Sequence, residues 1–304
     1  MIFDLKNPKH RKILLMLCVS TIAYSVSNVL AYVVDVRMPI SATVLSTQVG
    51  FLACTIAFLL FYREKVDLMP SRSNATVWIY GISFAITGLI LFTAYKAHSL
   101  ATIFPLLEGG ILVFLALDFM FHRKVLSRRQ VALLVIGVLV VFVGTFFAES
   151  TGITLDTSTL PYAIGIILFS GIGYYALANK TAKISDSSKN FAFSVSSAAI
   201  AALLLLLYHS PATLASIRAL PFAAGAIGGF ALCIAFSMEI GAVKHSMTGS
   251  ERKNVLLRNF INNFAELDIV VVLIASVGIN SYTYNGLFGG MLIVIGVLVL
   301  GSIS

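Results

Sequence analysis

Four polar residues form one stripe along an otherwise apolar stretch in the last fifth of the chain. Asn259, Asn262, Asn263 and Glu266 occupy positions i, i+3, i+4 and i+7, which is the spacing of a single helix face. In a membrane such a face is costly unless it meets water, a substrate or another helix. Three amides and a carboxylate could bind a polar solute or carry a proton. In the alternative interpretation, the amides only form hydrogen bonds between helices.

A second carboxylate, Glu108, lies in an apolar stretch with Pro105 before it and Gly109 and Gly110 after it. Pro105 has no amide hydrogen and paired glycines weaken a helix further, so the pattern predicts a helix break beside Glu108. A carboxylate at this depth is suited to carry a proton or to neutralise a cationic substrate. The alternative is a structural ion pair between two helices, with Lys96 as a candidate partner.

The elements that must position these residues are membrane-spanning helices. The chain of 304 residues is 59% hydrophobic and 11% charged, and its mean hydropathy is +0.96. A helix needs about 20 mainly apolar residues to cross the hydrocarbon core. The pattern predicts ten spans, at 13–34, 41–62, 75–95, 100–121, 130–148, 160–179, 190–208, 221–241, 255–277 and 284–302. This predicts an all-α integral membrane protein.

Weaker polar stripes recur on other predicted spans. The first span carries Thr21, Tyr24, Ser25 and Asn28, the sixth carries Ser170, Tyr174 and Tyr175, and the seventh carries Ser194 and Ser197. A hydroxyl can bond to a carbonyl of its own helix, so each stripe is weak evidence alone. Together they predict that spans one, four, six, seven and nine face a polar cavity. The candidate residues for substrate or coupling-ion binding are Glu108, Glu266, Asn259, Asn262, Asn263, Asn28, Tyr24, Tyr174 and Tyr175.

The basic residues predict the orientation of the chain in the membrane. Of the 21 Lys and Arg residues, only Arg37, Lys96 and Arg218 fall on one side of the ten predicted spans. Short cytoplasmic loops carry the excess of positive charge, so both termini are predicted to be cytoplasmic. The net charge of +8 therefore reflects topology and anionic lipid, and nucleic acid is not an expected partner. We expect a multi-pass protein of the plasma (inner) membrane.

Glycines in the fifth and tenth spans suggest an internal repeat. Gly137 and Gly144 are spaced like Gly289 and Gly296, and the two pairs lie 152 residues apart, half the length of the chain. Because each half has five spans, the second half would enter the membrane from the opposite side. The sequence thus predicts one compact membrane domain built from two inverted five-helix repeats, 1–149 and 150–304. The glycine faces are expected to pack closely, either against each other or across a homodimer.

The chain resembles the drug/metabolite transporter superfamily, in its ten-helix EamA-type branch. The resemblance is carried by Ala94-Tyr-Lys-Ala, by Ser99 to Pro105, by Leu126-Ser-Arg-Arg-Gln, and by the glycines that follow as far as Gly144. Glu266 falls where the family often has an acidic residue before a proline, but Leu267 replaces that proline here. The resemblance implies the ten-helix fold and transport activity, and it does not identify a substrate.

The leading functional hypothesis is a secondary active transporter of a small organic metabolite or drug-like molecule. It would work by alternating access as an exporter or importer, through proton coupling or exchange. The alternatives are an intramembrane enzyme acting on a lipid and a non-transporting membrane assembly factor. The chain has no phosphate-binding loop and no catalytic residues at usable spacing, so we expect no enzyme activity. Its five histidines and three cysteines form no ligand cluster, so no metal or other cofactor is expected.

Overall fold

The computed structural model describes the helices of both halves of the chain. The described residues are 8–35, 37–62, 75–107, 109–122, 127–151, 154–155, 158, 160–180, 186–208, 217–246, 267–279 and 282–301. The helices are α1 Pro8–Asp35, α2 Ile40–Tyr62, α3 Ala75–Tyr95, α4 Leu100–Ile103, α5 Gly110–His122, α6 Arg128–Glu149, α7 Leu160–Lys180, α8 Asp186–Tyr208, α9 Ala219–Ser246, α10 Leu267–Gly278 and α11 Tyr284–Gly301. A helix is present at each of the ten predicted spans.

The fourth predicted span is broken, as the sequence predicts. The short helix α4 passes into a 3₁₀ turn at Phe104–Leu107, and α5 begins at Gly110. The fixed φ of Pro105 and the missing side chains of Gly109 and Gly110 explain why the helix does not run straight through. Glu108 lies at this break but outside the described residues.

Only the second part of the predicted ninth span is described, and one loop contains an element that the sequence pattern does not predict. The described part of the ninth span begins at Leu267, so residues 247–266 lie outside the described part of the chain. After α6, two short strands, β1 Ser150–Thr151 and β2 Thr154–Leu155, pair antiparallel. The sequence analysis did not predict this hairpin.

The helices α6 and α11 each begin directly after a polar residue that caps the helix. The Ser127 backbone N–H donates to Gln130 Oε1 at 2.9 Å, and the Gln130 N–H donates to Ser127 Oγ at 3.3 Å. This reciprocal pair is a capping box. Before α11, Thr283 Oγ1 accepts the N–H of Gly286 at 2.9 Å. Both caps satisfy amides that have no partner within the helix.

Length and composition identify several of these helices as membrane spans. Within the described residues, four helices are long and apolar enough to cross a bilayer: His10–Asp35, Ile40–Phe61, Thr76–Tyr95 and Ala219–Met238. Two shorter apolar helical stretches, Leu160–Ala176 and Tyr284–Gly296, have the same character. Many of their apolar side chains are exposed at the surface of the protein. A lipid environment accounts for this exposure, and the chain is a membrane protein.

Helices from the two halves of the chain pack against each other. The helix α9 packs on α1 and α2, while α7 packs on α3 and α5. The helix α8 packs on α2 and α3, and α10 packs on α1. Glycines make these approaches close. A Cβ atom at Gly81 would collide with the carbonyl of Ala192, and a Cβ atom at Gly229 would collide with the carbonyl of Thr47. Six helices, α1, α2, α3, α7, α8 and α9, thereby surround the centre of the protein.

The last helices of the two halves, α6 and α11, form a separate pair in which glycines touch backbone. A Cβ atom added at Gly144 would lie 2.8 Å from the carbonyl oxygen of Gly289. A Cβ atom added at Gly296 would lie 2.8 Å from the backbone nitrogen of Val141 and 3.0 Å from the carbonyl oxygen of Gly137. The four glycines singled out in the sequence therefore lie at one helix–helix contact within the chain.

Candidate functional site

The centre of the six-helix assembly contains a cluster of aromatic rings, which we call the aromatic cluster. Each of the six helices contributes at least one ring. The members are Tyr24 of α1, Phe51 of α2, Tyr80 and Phe84 of α3, Tyr174 of α7, Phe193 of α8 and Phe236 of α9. Because α1–α3 belong to the first half of the chain and α7–α9 to the second, the cluster joins the two halves.

Phe84 and Phe236 occupy the middle of this cluster. Their ring centroids are 6.1 Å apart. Phe84 contacts Tyr174 at 5.2 Å, and Phe236 contacts Tyr24 at 5.3 Å, both edge to face. Phe193 contacts Phe236 at 5.8 Å from the α8 side. Edge-to-face pairs at these distances each contribute about 0.5–1.5 kcal/mol beyond burial. The rings form one continuous apolar surface between the two tyrosines.

Polar side chains lie one helical turn from the rings on the same helices. Thr21 precedes Tyr24 by three residues, Gln48 precedes Phe51 by three, and Asn190 precedes Phe193 by three. This spacing places each polar group on the same helix face as its ring. All three polar residues are buried, and Thr21 Oγ1, Gln48 Oε1 and Asn190 Oδ1 have no hydrogen-bond partner among the described residues. The faces that carry the rings therefore also offer unused acceptors.

Other polar side chains of this centre do form hydrogen bonds, and the thiol of Cys233 lies among them. Thr55 Oγ1 and Cys233 Sγ are 3.5 Å apart, and Asn190 Nδ2 donates to Ser237 Oγ at 3.2 Å. The thiols of Cys54 and Cys233 also interact with each other. Nearby, Ser194 Oγ donates to the carbonyl of Gln48 at 3.4 Å. These bonds connect α2, α8 and α9 and leave the oxygen of the Asn190 amide available.

The structure brings some of the sequence-predicted residues together and separates others. Tyr24 and Tyr174 lie at opposite sides of the aromatic cluster. Asn28 is buried, and its amide donates to the carbonyl of Tyr24 at 2.9 Å. Tyr175 instead points to α5, with its ring 6.2 Å from Phe114. Five of the candidate residues lie outside the described residues, namely Glu108, Asn259, Asn262, Asn263 and Glu266.

The centre includes helices that the sequence analysis did not assign to a cavity. The second, third and eighth spans contribute Phe51, Phe84 and Phe236, together with Gln48 and Cys233. The sequence does not show whether an aromatic residue on an apolar helix faces lipid or protein, so these three spans could not be assigned to the centre from their rings. Gln48, a buried amide in the middle of the second span, was the available signal.

An apolar centre flanked by a few buried polar groups, at the junction of two halves of a helical membrane protein, is typical of a transport protein. The comparisons agree with this class. The family model described as "Sugar transport protein" matches residues 4–151, slightly less than half of the chain. The match points to a membrane transporter rather than to an enzyme.

The fold as a whole is shared with a solved structure described only as "Crystal structure of protein". The two chains are 19% identical, the match covers 94% of each, and the TM-score is 0.58. At this identity the likeness shows the fold alone. No curated protein matches the chain.

Proposed function

We propose that this protein is a secondary active transporter of a small, uncharged, hydroxylated metabolite of the sugar type. The observation that carries the proposal is the aromatic cluster, which joins both halves of the chain and has unused polar acceptors one turn away. Rings can cover the apolar faces of a sugar-like ring, while hydroxyl and amide groups bond to its hydroxyls. The match to a sugar transport family model supports the same substrate class.

We further propose that the two halves, 1–149 and 150–304, are inverted repeats that move by alternating access. The helix contacts support this proposal, because exchanging each span for the one five places on maps the most extensive helix contacts onto one another. Under this exchange α1–α9 corresponds to α3–α7, α2–α9 to α3–α8, and α5–α7 to α1–α10. The contacts α2–α8 and α6–α11 correspond to themselves. Substrate sites of such transporters lie between the repeats, where the aromatic cluster lies.

The drug/metabolite transporter superfamily, in its EamA-type branch, is our proposed wider family. Its ten-helix plan agrees with the helices observed here. The proposed location is the plasma (inner) membrane, with both termini in the cytoplasm. Since the glycine faces of α6 and α11 meet within one chain, a homodimer through these helices would use their exposed faces, which carry residues such as Leu139 and Met291.

The test is substrate exchange in vesicles reconstituted with the purified chain. Vesicles preloaded with one unlabelled sugar or polyol at a time should take up the labelled compound faster than empty vesicles. Phe84→Leu should reduce this exchange strongly, because the Phe84 ring contacts four other rings of the cluster. Phe142→Leu is the matched control, because Phe142 is 70% exposed on α6 whereas Phe84 is 8% exposed.

Two results would contradict the proposal. If no hydroxylated metabolite exchanges, the substrate class is wrong. If Phe84→Leu exchanges substrate as fast as Phe142→Leu and the original protein, the aromatic cluster is not part of the substrate site. Melting temperatures of both variants in detergent separate a lost site from a lost fold.

A further inference from the structure

A carboxylate is buried at the end of α1, away from the aromatic cluster. Asp35 is the last residue of α1 and has no exposed surface. Neither of its carboxylate oxygens makes a hydrogen bond of good geometry among the described residues, although the Thr43 hydroxyl is close enough to interact with the carboxylate. Leaving a buried polar group without a partner costs free energy, and such groups in folded proteins call for an explanation.

The nearby cation, Lys96, bonds to the main chain and not to this carboxylate. Its Nζ donates to the carbonyl of Asp35 at 2.7 Å and to the carbonyl of Met38 at 2.9 Å. A cation is stabilised at a helix C-terminus, where carbonyls have no partner within the helix. Lys96 thus holds the α1–α2 turn and attracts the Asp35 carboxylate without a direct bond to it. From the sequence, Lys96 was a candidate partner for Glu108 and one of the three basic residues on the side opposite the termini.

A second buried group without a partner lies beside the carboxylate. Tyr95, the last residue of α3, is 2% exposed, and its hydroxyl has no hydrogen-bond partner among the described residues. It is close enough to Asp35 for their charges to interact. Its ring contacts that of Tyr32 edge to face at 5.6 Å. Tyr32 lies one helical turn before Asp35, and Lys96, the neighbour of Tyr95, bonds to the Asp35 carbonyl. A carboxylate and a hydroxyl therefore lie near each other between the ends of α1 and α3, and the hydroxyl has no partner among the described residues.

We propose that Asp35 and Tyr95 bind the monovalent cation, a proton or Na⁺, whose gradient drives transport. Carboxylate and hydroxyl oxygens suit both cations, and the ends of broken or terminal helices are known positions for coupling ions in transporters. The other groups that interact with the carboxylate are Lys96 and Thr43, while Tyr32 lies beside Tyr95. Arg37 and Arg218 are exposed. This proposal rests on the proposed transport function.

The position of the site gives a physical route from cation to substrate. Asp35 belongs to the same helix as Tyr24, and Tyr95 to the same helix as Phe84. A cation bound between their ends would favour one spacing of α1 and α3. Because these helices carry rings of the aromatic cluster, that spacing also sets the shape of the proposed substrate site. If the substrate prefers the same spacing, cation binding strengthens substrate binding.

The first experiment measures cation binding without transport. The unfolding temperature of the purified full chain is recorded while NaCl replaces choline chloride at fixed pH, and separately while pH is changed without Na⁺. Ligand binding to the folded state raises this temperature. We expect the cation bound at this site to raise the unfolding temperature of the original protein in one of the two series. In Asp35→Asn this rise should be absent. Asp156→Asn, the same change between the fifth and sixth predicted spans, is the control and should respond as the original protein does.

The second experiment separates coupling from transport in reconstituted vesicles. A proton gradient is imposed in one set of vesicles and a Na⁺ gradient in another. The original protein should accumulate substrate with one of these two gradients. Asp35→Asn should lose this accumulation and keep exchange of substrate in the absence of a gradient. Tyr95→Phe keeps the ring and should require a higher cation concentration for half-maximal accumulation.

The outcomes distinguish this proposal from the function on which it rests. The proposal is overturned if Asp35→Asn responds to both cations as the original protein does, or accumulates substrate equally well. It is also overturned if the original protein exchanges substrate but neither gradient drives accumulation. If Asp35→Asn does not fold, an unchanged cation dependence in Tyr95→Phe overturns it. Failure of the original protein to exchange any substrate counts against the proposed function alone, since the unfolding experiment still tests cation binding.

Discussion

Replacing Gly144 by Ala tests the packing of α6 against α11 with the smallest possible change. The added Cβ would lie 2.8 Å from the Gly289 carbonyl oxygen, whereas ordinary contact begins at 3.4 Å. Three atoms lie at this distance: the Gly289 oxygen and the Ile293 nitrogen, which are backbone atoms, and Ile293 Cγ1. The Ile293 side chain can rotate away but the two backbone atoms cannot, so the helices must separate by about 0.6 Å. Overpacking of this kind costs about 1–3 kcal/mol.

A matched control is available on α3. A Cβ added at Gly88 meets no atom within 4 Å. There the same Gly→Ala change should stabilise the helix by about 0.5–1 kcal/mol, because alanine restricts the unfolded backbone more than glycine does. The two variants should thus shift stability in opposite directions and differ by about 1.5–4 kcal/mol.

The assay is equilibrium unfolding in mixed micelles with an increasing fraction of SDS, followed by helical circular dichroism. Gly144→Ala should unfold at a lower SDS fraction than the original protein, and Gly88→Ala at an equal or higher one. Gly296→Ala should resemble Gly144→Ala, because it meets the Val141 nitrogen at 2.8 Å. Equal midpoints for Gly144→Ala and Gly88→Ala would refute the close contact between these helices.

Two further predictions concern the topology and the two acids Glu108 and Glu266, which lie outside the described residues. Cysteines placed at Asp156 and at Ser127 should be labelled from opposite sides of the membrane, because positive charge favours the cytoplasmic side. The cysteine at position 156 should react with a reagent added outside intact cells. Labelling of both cysteines from outside would contradict the predicted topology. Glu108→Gln and Glu266→Gln should abolish proton-driven accumulation and spare exchange if the coupling proton binds at these acids and not at Asp35. Weakened binding in these variants would instead indicate a cationic substrate, against the uncharged one proposed above. Unchanged transport and binding in both variants would make them structural residues.

The sequence by itself determined the helices and their interruptions. Segment length and apolar content are local properties, so the predicted bounds 75–95 and 160–179 agree closely with Ala75–Tyr95 and Leu160–Lys180. The break after Ile103 also follows from local chemistry, since Pro105 and the two glycines act on their own backbone. The glycine spacing in the fifth and tenth spans indicated a close helix contact for the same reason, because only residues without side chains allow backbones to touch.

Only the tertiary structure decided which residues meet at the centre. In lipid, both the buried and the outward faces of a helix are apolar, so the pattern does not tell Phe84, at 8% exposure, from Phe142, at 70%. Sequence reasoning therefore followed the polar residues and found Tyr24 and Tyr174, but missed the rings of α2, α3 and α9 between them. Lys96 shows the same limit, because its carbonyl partner Asp35 lies 61 residues away. Such contacts depend on how helices pack, which no local pattern records.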